Sequence, residues 1–140
     1  MADSFEFPIR VYYEDTDAGA VVFYANYLRF FERARTEWLR HCGVSQRQMS
    51  KQHQVMFVVK STAVEYHRAA RLDDLLLIRS RIERLGQVAV TFHQEAWRDG
   101  QPGHPAAELL SSSTIKVGCV SCASLRPAPI PTAVRSALQP

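Results

Sequence analysis

Positions 10–27 of the chain carry the sequence RVYYEDTDAGAVVFYANY. A short alternating stretch runs into two carboxylates, Asp15 and Asp17, and continues through an apolar run into the start of a helix. An acidic turn of this kind either caps a helix or holds a carboxylate against a poorly solvated surface, where it becomes a stronger base. The residues leave both interpretations open, and the spacing taken alone favours turn and cap residues.

The stretch before this turn, FEFPIRVYY at 5–13, alternates and predicts the first strand. Pro8 has no N–H to donate to a ladder, so this strand either lies at a sheet edge or begins after Pro8. The residues that share its apolar face are Phe5, Phe7, Ile9, Val11 and Tyr13.

The pattern changes to a helical period at Asn26 and predicts one long amphipathic helix. Its apolar face carries Tyr27, Phe31, Ala34, Trp38 and Cys42, and the spacing predicts core packing for these side chains. The charged residues, Arg35 among them, are predicted to take the opposite side. Gly43 suits the end of this helix, and Ser45 with Gln48 resembles a capping box for a short helix near 46–53.

Four more strands are predicted after residue 55, and a weak helix is predicted near 132–138. The strands read VMFVVKSTAVEYH, DLLLIRSRIERL, VAVTFHQEAWRD and AELLSSSTIKVGCV. Gly86 and the sequence DGQPGHP at 99–105 mark short turns, so the last three strands should form an antiparallel meander. Strand, long helix and four strands make an α+β layer in which a sheet covers the apolar stripe of one helix.

The chain has 140 residues and a formal charge of +3, which fits a single domain over residues 1–140. Its arginines are scattered, so no nucleic-acid partner is predicted, and a small phosphate-bearing substrate fits better. The longest apolar run, 18–25, is far shorter than the roughly 20 residues of a membrane span. With no secretory pattern at the amino terminus, these features predict a cytoplasmic chain without membrane insertion.

Three cysteines, Cys42, Cys119 and Cys122, fit a reducing compartment because they cannot all pair within one chain. The Cys-x-x-Cys at 119–122 lacks a second ligand pair with zinc spacing, and the histidines show no metal spacing either. The sequence therefore predicts neither a metal site nor another cofactor.

Several segments resemble the hotdog-fold acyl-CoA thioesterases of the 4-hydroxybenzoyl-CoA thioesterase family. They are the 10–27 stretch with its DTD triplet, ERARTEWLRH at 32–41, VEYHRAARLDD at 64–74 and CVSCASLRPAPIP at 119–131. The chain is most similar to the branch associated with the Tol–Pal envelope system, and the similarity covers nearly its whole length.

The resemblance implies a hotdog fold, in which an antiparallel five-stranded sheet wraps around one long central helix. It also implies an assembly, a homodimer or homotetramer, with the sheets continuing across the interface and active sites built between subunits. One helix covers a five-stranded sheet sparsely, which independently favours association.

The resemblance further implies hydrolysis of a short-chain or aromatic acyl-CoA to free acid and CoA, with no metal. Asp17 matches the family's catalytic carboxylate, which acts as nucleophile or as general base, whereas Asp15 is expected to be structural. The oxyanion donors are expected to be backbone amides near Tyr24. The related branch often carries a histidine at that position, and a tyrosine cannot replace an imidazole as a base at neutral pH.

Coenzyme A needs cations for its phosphates. The aromatic-substrate branch has a basic cluster at the hairpin between the third and fourth strands, where this chain offers Arg84. Lys60, Arg68 and Arg71 are alternatives, and a solvent-exposed role suits each of the four equally well. A different class also stays open, a non-catalytic hotdog module that binds acyl-CoA or an acyl carrier or docks a partner.

Overall fold

The computed structural model describes residues 4–98 and 107–139, so the predicted turn at 99–105 lies outside the described residues. The strands are β1 (Ser4–Arg10), β2 (Val55–Tyr66), β3 (Leu75–Leu85), β4 (Ala89–Arg98) and β5 (Glu108–Ser121). The helices are α1 (Asn26–His41), α2 (Gln46–Gln48), which continues into a π-helical turn (Met49–His53), and α3 (Thr132–Leu138). The predicted order of strand, long helix, four strands and terminal helix is confirmed.

The five strands form one antiparallel sheet in the order β1-β3-β4-β5-β2. The predicted meander is β3-β4-β5, and β1 and β2 are the two edges. Pro8 lies inside β1 opposite Leu77, so the edge alternative holds for this proline. The apolar side of α1 packs against this sheet, touching β1, β3 and β4.

The first strand ends earlier than predicted. It stops at Arg10, and Tyr13 begins a 3-10 turn that runs to Asp15. The reason is a side-chain contact, because Asp15 Oδ2 accepts a hydrogen bond of 2.8 Å from the N–H of Tyr12 and bends the chain. The alternation that predicted a strand as far as Tyr13 therefore gives way to a local turn.

The long helix follows the prediction at its end and departs from it at one charged position. Gly43 has φ +82°, as the left-handed residue after a helix does. Ser45 Oγ accepts from the N–H of Gln48 at 3.2 Å, which is the predicted cap. Arg35 was expected on the solvent side but is buried, because it lies four residues after Phe31 and three before Trp38, on the apolar face, where its Nη1 donates to Gln94 Oε1 at 2.9 Å.

None of the helices within 4–98 and 107–139 is long and apolar enough to cross a bilayer. The terminal helix α3 instead contributes Val134 and Leu138 to the core. The chain that leads to it is tied to the sheet, since the N–H of Ile130 donates to the carbonyl of Gln87 at 2.9 Å.

Candidate active site

Asp17 lies in a tight hairpin between the 3-10 turn and α1. Its N–H donates to the carbonyl of Val21 at 2.9 Å, and its own carbonyl accepts from Ala20 at 3.0 Å. Asp17 Oδ1 accepts from the N–H of Gly19 at 2.8 Å. A Cβ at Gly19 would come within 3.2 Å of that oxygen, so glycine permits the close approach. The carboxylate is thus held in place while the residue remains exposed in the single chain.

Asp15 has a different environment, because it is buried and both its carboxylate and its backbone carbonyl accept hydrogen bonds. Its carboxylate accepts from the N–H of Tyr12, and its carbonyl accepts from the N–H of Phe23 at 3.0 Å and from Asn26 Nδ2 at 2.9 Å. These contacts connect the hairpin to the first turn of α1. The two carboxylates therefore differ in exposure, since Asp15 is buried whereas Asp17 faces outward.

The start of α1 exposes backbone donors near Asp17. No side chain caps the helix, and among the described residues the N–H groups of Tyr24 and Ala25 have no acceptor. The Tyr24 carbonyl is held by the hydroxyl of Tyr66, which donates to it at 3.0 Å. Free amides at the positive end of a helix are suited to stabilising a developing negative charge.

A cleft of about 290 Å³ opens beside these amides. Its lining residues are Val22, Tyr24, Tyr27, Tyr66, His67, Arg68 and Ala69. Burial raises the pKa of Tyr27, and the hydrogen bond from Ala70 only partly offsets it. Burial, with a smaller contribution from Tyr24, also raises the pKa of Tyr66. Both hydroxyls therefore stay protonated at neutral pH.

A loop between β2 and β3 positions the hairpin. The N–H of Val22 donates to the carbonyl of Ala70 at 2.8 Å, and the N–H of Val11 donates to the carbonyl of Asp74 at 2.9 Å. Asp74 Oδ2 in turn accepts from Arg98 Nη1 at 2.6 Å, and Glu108 Oε2 accepts from Arg98 Nη2 at 2.9 Å. Sequence reasoning missed this buried cluster.

Burial would lower the pKa of Arg98, but its hydrogen bonds to Asp74 and Glu108 outweigh that effect and raise the pKa. The guanidinium is therefore a permanent cation beneath the loop that carries Ala70. No local spacing in the sequence could have revealed this cluster. The side chains of Asp74, Arg98 and Glu108 come together through the pairing of β3 with β4 and of β4 with β5.

The four predicted phosphate ligands are divided between two regions of the chain. Arg68 lines the cleft, and Arg71 is paired with Val21 of the hairpin. Arg84 lies near the end of β3 that is far from the hairpin. At about 3.3 Å per residue, it is roughly 30 Å from Leu75, where β3 begins beside the hairpin. Lys60 is on β2, where its side chain covers Gly118. Of these four residues, Arg68 and Arg71 are the two near the candidate site of the same chain.

The described residues include no group of three or more His, Cys, Asp or Glu side chains that could hold a metal ion. Cys119 is buried near the end of β5, where its Sγ points at the carbonyl of Pro129 at 3.7 Å. Burial raises the pKa of Cys119, and the neighbouring Cys122 raises it further, so this thiol is a poor nucleophile at neutral pH.

The profile of the thioesterase superfamily matches residues 19–103 of this chain. The chain belongs to this family. It is 42% identical to the acyl-CoA thioesterase YbgC of Haemophilus influenzae over 98% of this chain and 96% of that protein. It is 40% identical to the acyl-CoA thioester hydrolase YbgC of Shigella flexneri over 93% of this chain and 92% of that protein.

Solved structures of the family share the fold. A variant 4-hydroxybenzoyl-CoA thioesterase complexed with 4-hydroxybenzoyl-CoA superposes with a TM-score of 0.90. Its sequence is 20% identical, and the match covers 99% of this chain and 100% of that one. The predicted family, thioesterase class and hotdog fold are confirmed. Asp17 precedes the segment that the family profile matches, so its predicted role depends on the geometry described above.

Proposed function

We propose that this chain hydrolyses short-chain or aromatic acyl-CoA to free acid and CoA, with Asp17 as nucleophile or general base. The observation that carries the proposal is the fixed, outward-facing Asp17 carboxylate in a hairpin that leads to the uncapped start of α1. The names of the relatives support acyl-CoA as the substrate class.

Two mechanisms suit this geometry, and in both the oxygen Asp17 Oδ2 acts. As a nucleophile it attacks the thioester carbonyl, the CoA thiolate leaves, and water then hydrolyses the mixed anhydride. As a general base it takes a proton from an attacking water, and the proton passes to the departing thiolate. In either mechanism the N–H groups of Tyr24 and Ala25 stabilise the oxyanion.

Tyr24→Phe should change turnover by less than a few fold, because the substitution keeps the backbone N–H that we propose as the oxyanion donor. The Tyr66 hydroxyl bonds the Tyr24 carbonyl, which is also unchanged. The measurement is kcat/KM on one acyl-CoA for wild type and variant. A loss of about a hundredfold, the magnitude of removing one oxyanion donor, would show that the Tyr24 hydroxyl stabilises the oxyanion.

We propose that Arg68 and Arg71 bind the phosphates of CoA within one subunit, because they lie beside the hairpin and its cleft. Lys60 and Arg84 are the less favoured candidates. We further propose that residues 1–140 are one domain that acts in the cytoplasm, in the Tol–Pal-associated branch of the family. The protein should need no metal or other cofactor.

The protein should be a dimer or tetramer at micromolar concentration, measured by light scattering. The edge strand β2 runs for 12 residues, Val59 on it is 52% exposed, and a long unpaired edge pairs readily with a second copy. Such pairing would extend the sheet and place the exposed Asp17 in a shared site. A monomer that retains full thioesterase activity would contradict this assembly.

The test of the function is to add acyl-CoA substrates of different chain length, and aromatic ones, together with a dye that traps free thiols. A thioesterase releases CoA catalytically, whereas a non-catalytic module forms a stoichiometric complex without thiol release. Turnover should persist in the presence of a chelator. Thiol release below one equivalent with every substrate would show that the protein is a non-catalytic binding module and not an enzyme.

A further inference from the structure

A second cavity lies between α1 and the strands β2, β4 and β5. Its volume is about 120 Å³. Its apolar wall consists of Leu39, Phe57, Val59, Phe92, Val117 and Leu138. It is smaller than the roughly 150 Å³ apolar cavity that holds one benzene ring, so it has room for a short acyl chain.

A buried cation, Arg35, lines the same cavity beside these apolar residues. It is 9% exposed, and its Nη1 donates to Gln94 Oε1 at 2.9 Å. Gln94 is fully buried and fixed, since its Nε2 donates to the carbonyl of Phe31 and to Ser80 Oγ, both at 2.9 Å. The guanidinium is thus held in one position by a network that reaches from the helix to two strands.

The charge of Arg35 has no counter-ion of its own. Within the described part of the chain, no carboxylate forms an ion pair with this guanidinium, and Gln94 satisfies one of its five N–H groups. Burial lowers the pKa of Arg35, an effect that Glu32 opposes through its charge. Glu32 itself is exposed and accepts from Thr36 Oγ1 at 2.8 Å, so solvent screens its charge.

The other N–H groups of Arg35 are neither bonded nor fully buried, since Arg98 Nε is the one buried, unsatisfied side-chain nitrogen among the described residues, so a ligand in the cavity can accept hydrogen bonds from them. A carboxylate suits a guanidinium because its two oxygens can accept parallel hydrogen bonds. We propose that this cavity receives the acyl end of the substrate and that Arg35 selects short acyl groups ending in a carboxylate.

This inference rests on the proposed function. Two side chains of the cavity wall, Phe57 and Val59, belong to the edge strand β2, which the proposed dimer pairs. We therefore place the acyl end of a thioester held at Asp17 of one subunit in the cavity of the other subunit, across the paired edge.

The experiment compares kcat/KM for succinyl-CoA, corrected for its uncatalysed hydrolysis, with kcat/KM for 4-methylpentanoyl-CoA. The second acyl group carries an isopropyl group where succinyl has its carboxylate. The wild type should favour succinyl-CoA by about tenfold or more, as one charged hydrogen bond predicts. Arg35→Gln should abolish or reverse this preference.

Two further variants sharpen the comparison. Glu32→Gln should increase the preference for succinyl-CoA, because Glu32 also lines the cavity and the substitution removes its negative charge. Arg33→Gln is the matched control, the same substitution at an exposed position of α1 that does not line the cavity, and it should leave the ratio unchanged. If Arg35→Gln fails to fold, the wild-type ratio and the Glu32→Gln ratio decide the outcome.

A second measurement needs no turnover. Free succinate should raise the thermal unfolding midpoint more than 4-methylpentanoate does, and Arg35→Gln should lose this difference. Hydrolysis without a preference for succinyl-CoA, or a preference that survives Arg35→Gln, overturns the inference and leaves the proposed function intact. Protection by succinate without hydrolysis of any acyl-CoA supports the cavity's selectivity and overturns the proposed function.

Discussion

Asp17→Asn should lower kcat on acyl-CoA by about 10² to 10⁴, the usual cost of losing a general base, while acyl-CoA still binds. The amide keeps an oxygen that can accept the hydrogen bond from the N–H of Gly19, so the hairpin should keep its shape. What the substitution removes is the negative oxygen that attacks the carbonyl or takes the proton. The measurement is steady-state thiol release, with binding followed separately by titration of acyl-CoA.

Asp15→Asn is the matched control, since it removes the same charge from the same turn. Its cost in kcat should be far smaller, because an amide oxygen can accept from the N–H of Tyr12 almost as well as a carboxylate does. Thermal unfolding must show that both variants are folded. If Asp17→Asn turns over at the native rate, or if Asp15→Asn is the more damaging change, the catalytic assignment of Asp17 is withdrawn.

Asp74→Ala should destabilise the fold by about 3–5 kcal/mol, the cost of breaking a buried ion pair by removing one partner. The side chains of Arg98 and Asp74 are only 10% and 11% exposed, and Arg98 Nε already lies buried without an acceptor among the described residues. Without Asp74, Glu108, which is partly exposed, is the one charged partner that Arg98 retains within residues 4–98 and 107–139. We expect Tm to fall by roughly 10–20 °C.

The comparison for Asp74→Ala is Glu6→Ala, which breaks the exposed ion pair between Glu6 and Arg79. That pair is also short, at 2.8 Å, but its side chains are 54% and 38% exposed, so its loss should cost less than about 1 kcal/mol. Both unfolding curves should be recorded at one protein concentration, because assembly contributes to stability. Equal losses in the two variants would mean that the buried cluster contributes no more than a surface pair.

The sequence determined the elements and their order, because these depend on local periodicity. The stripe that begins at Tyr27 specified α1, Gly43 specified its end, and the alternation of 74–85 specified β3. The DTD triplet also drew attention to Asp17, since resemblance to a family is carried by short local motifs. Periodicity did not predict the early end of β1, where one contact from Asp15 overrides the pattern.

Only the tertiary structure decided which polar groups are buried and what they meet. Arg35 was predicted to take the charged side, although its place four residues after Phe31 and three before Trp38 puts it on the buried face; only the structure shows that Gln94, 59 positions away, accepts its hydrogen bond. Arg98 meets Asp74 and Glu108 because the register of three strands aligns them. The sequence could not show these contacts, because the burial of a charge depends on a partner on another strand, and only the assembled sheet sets that pairing.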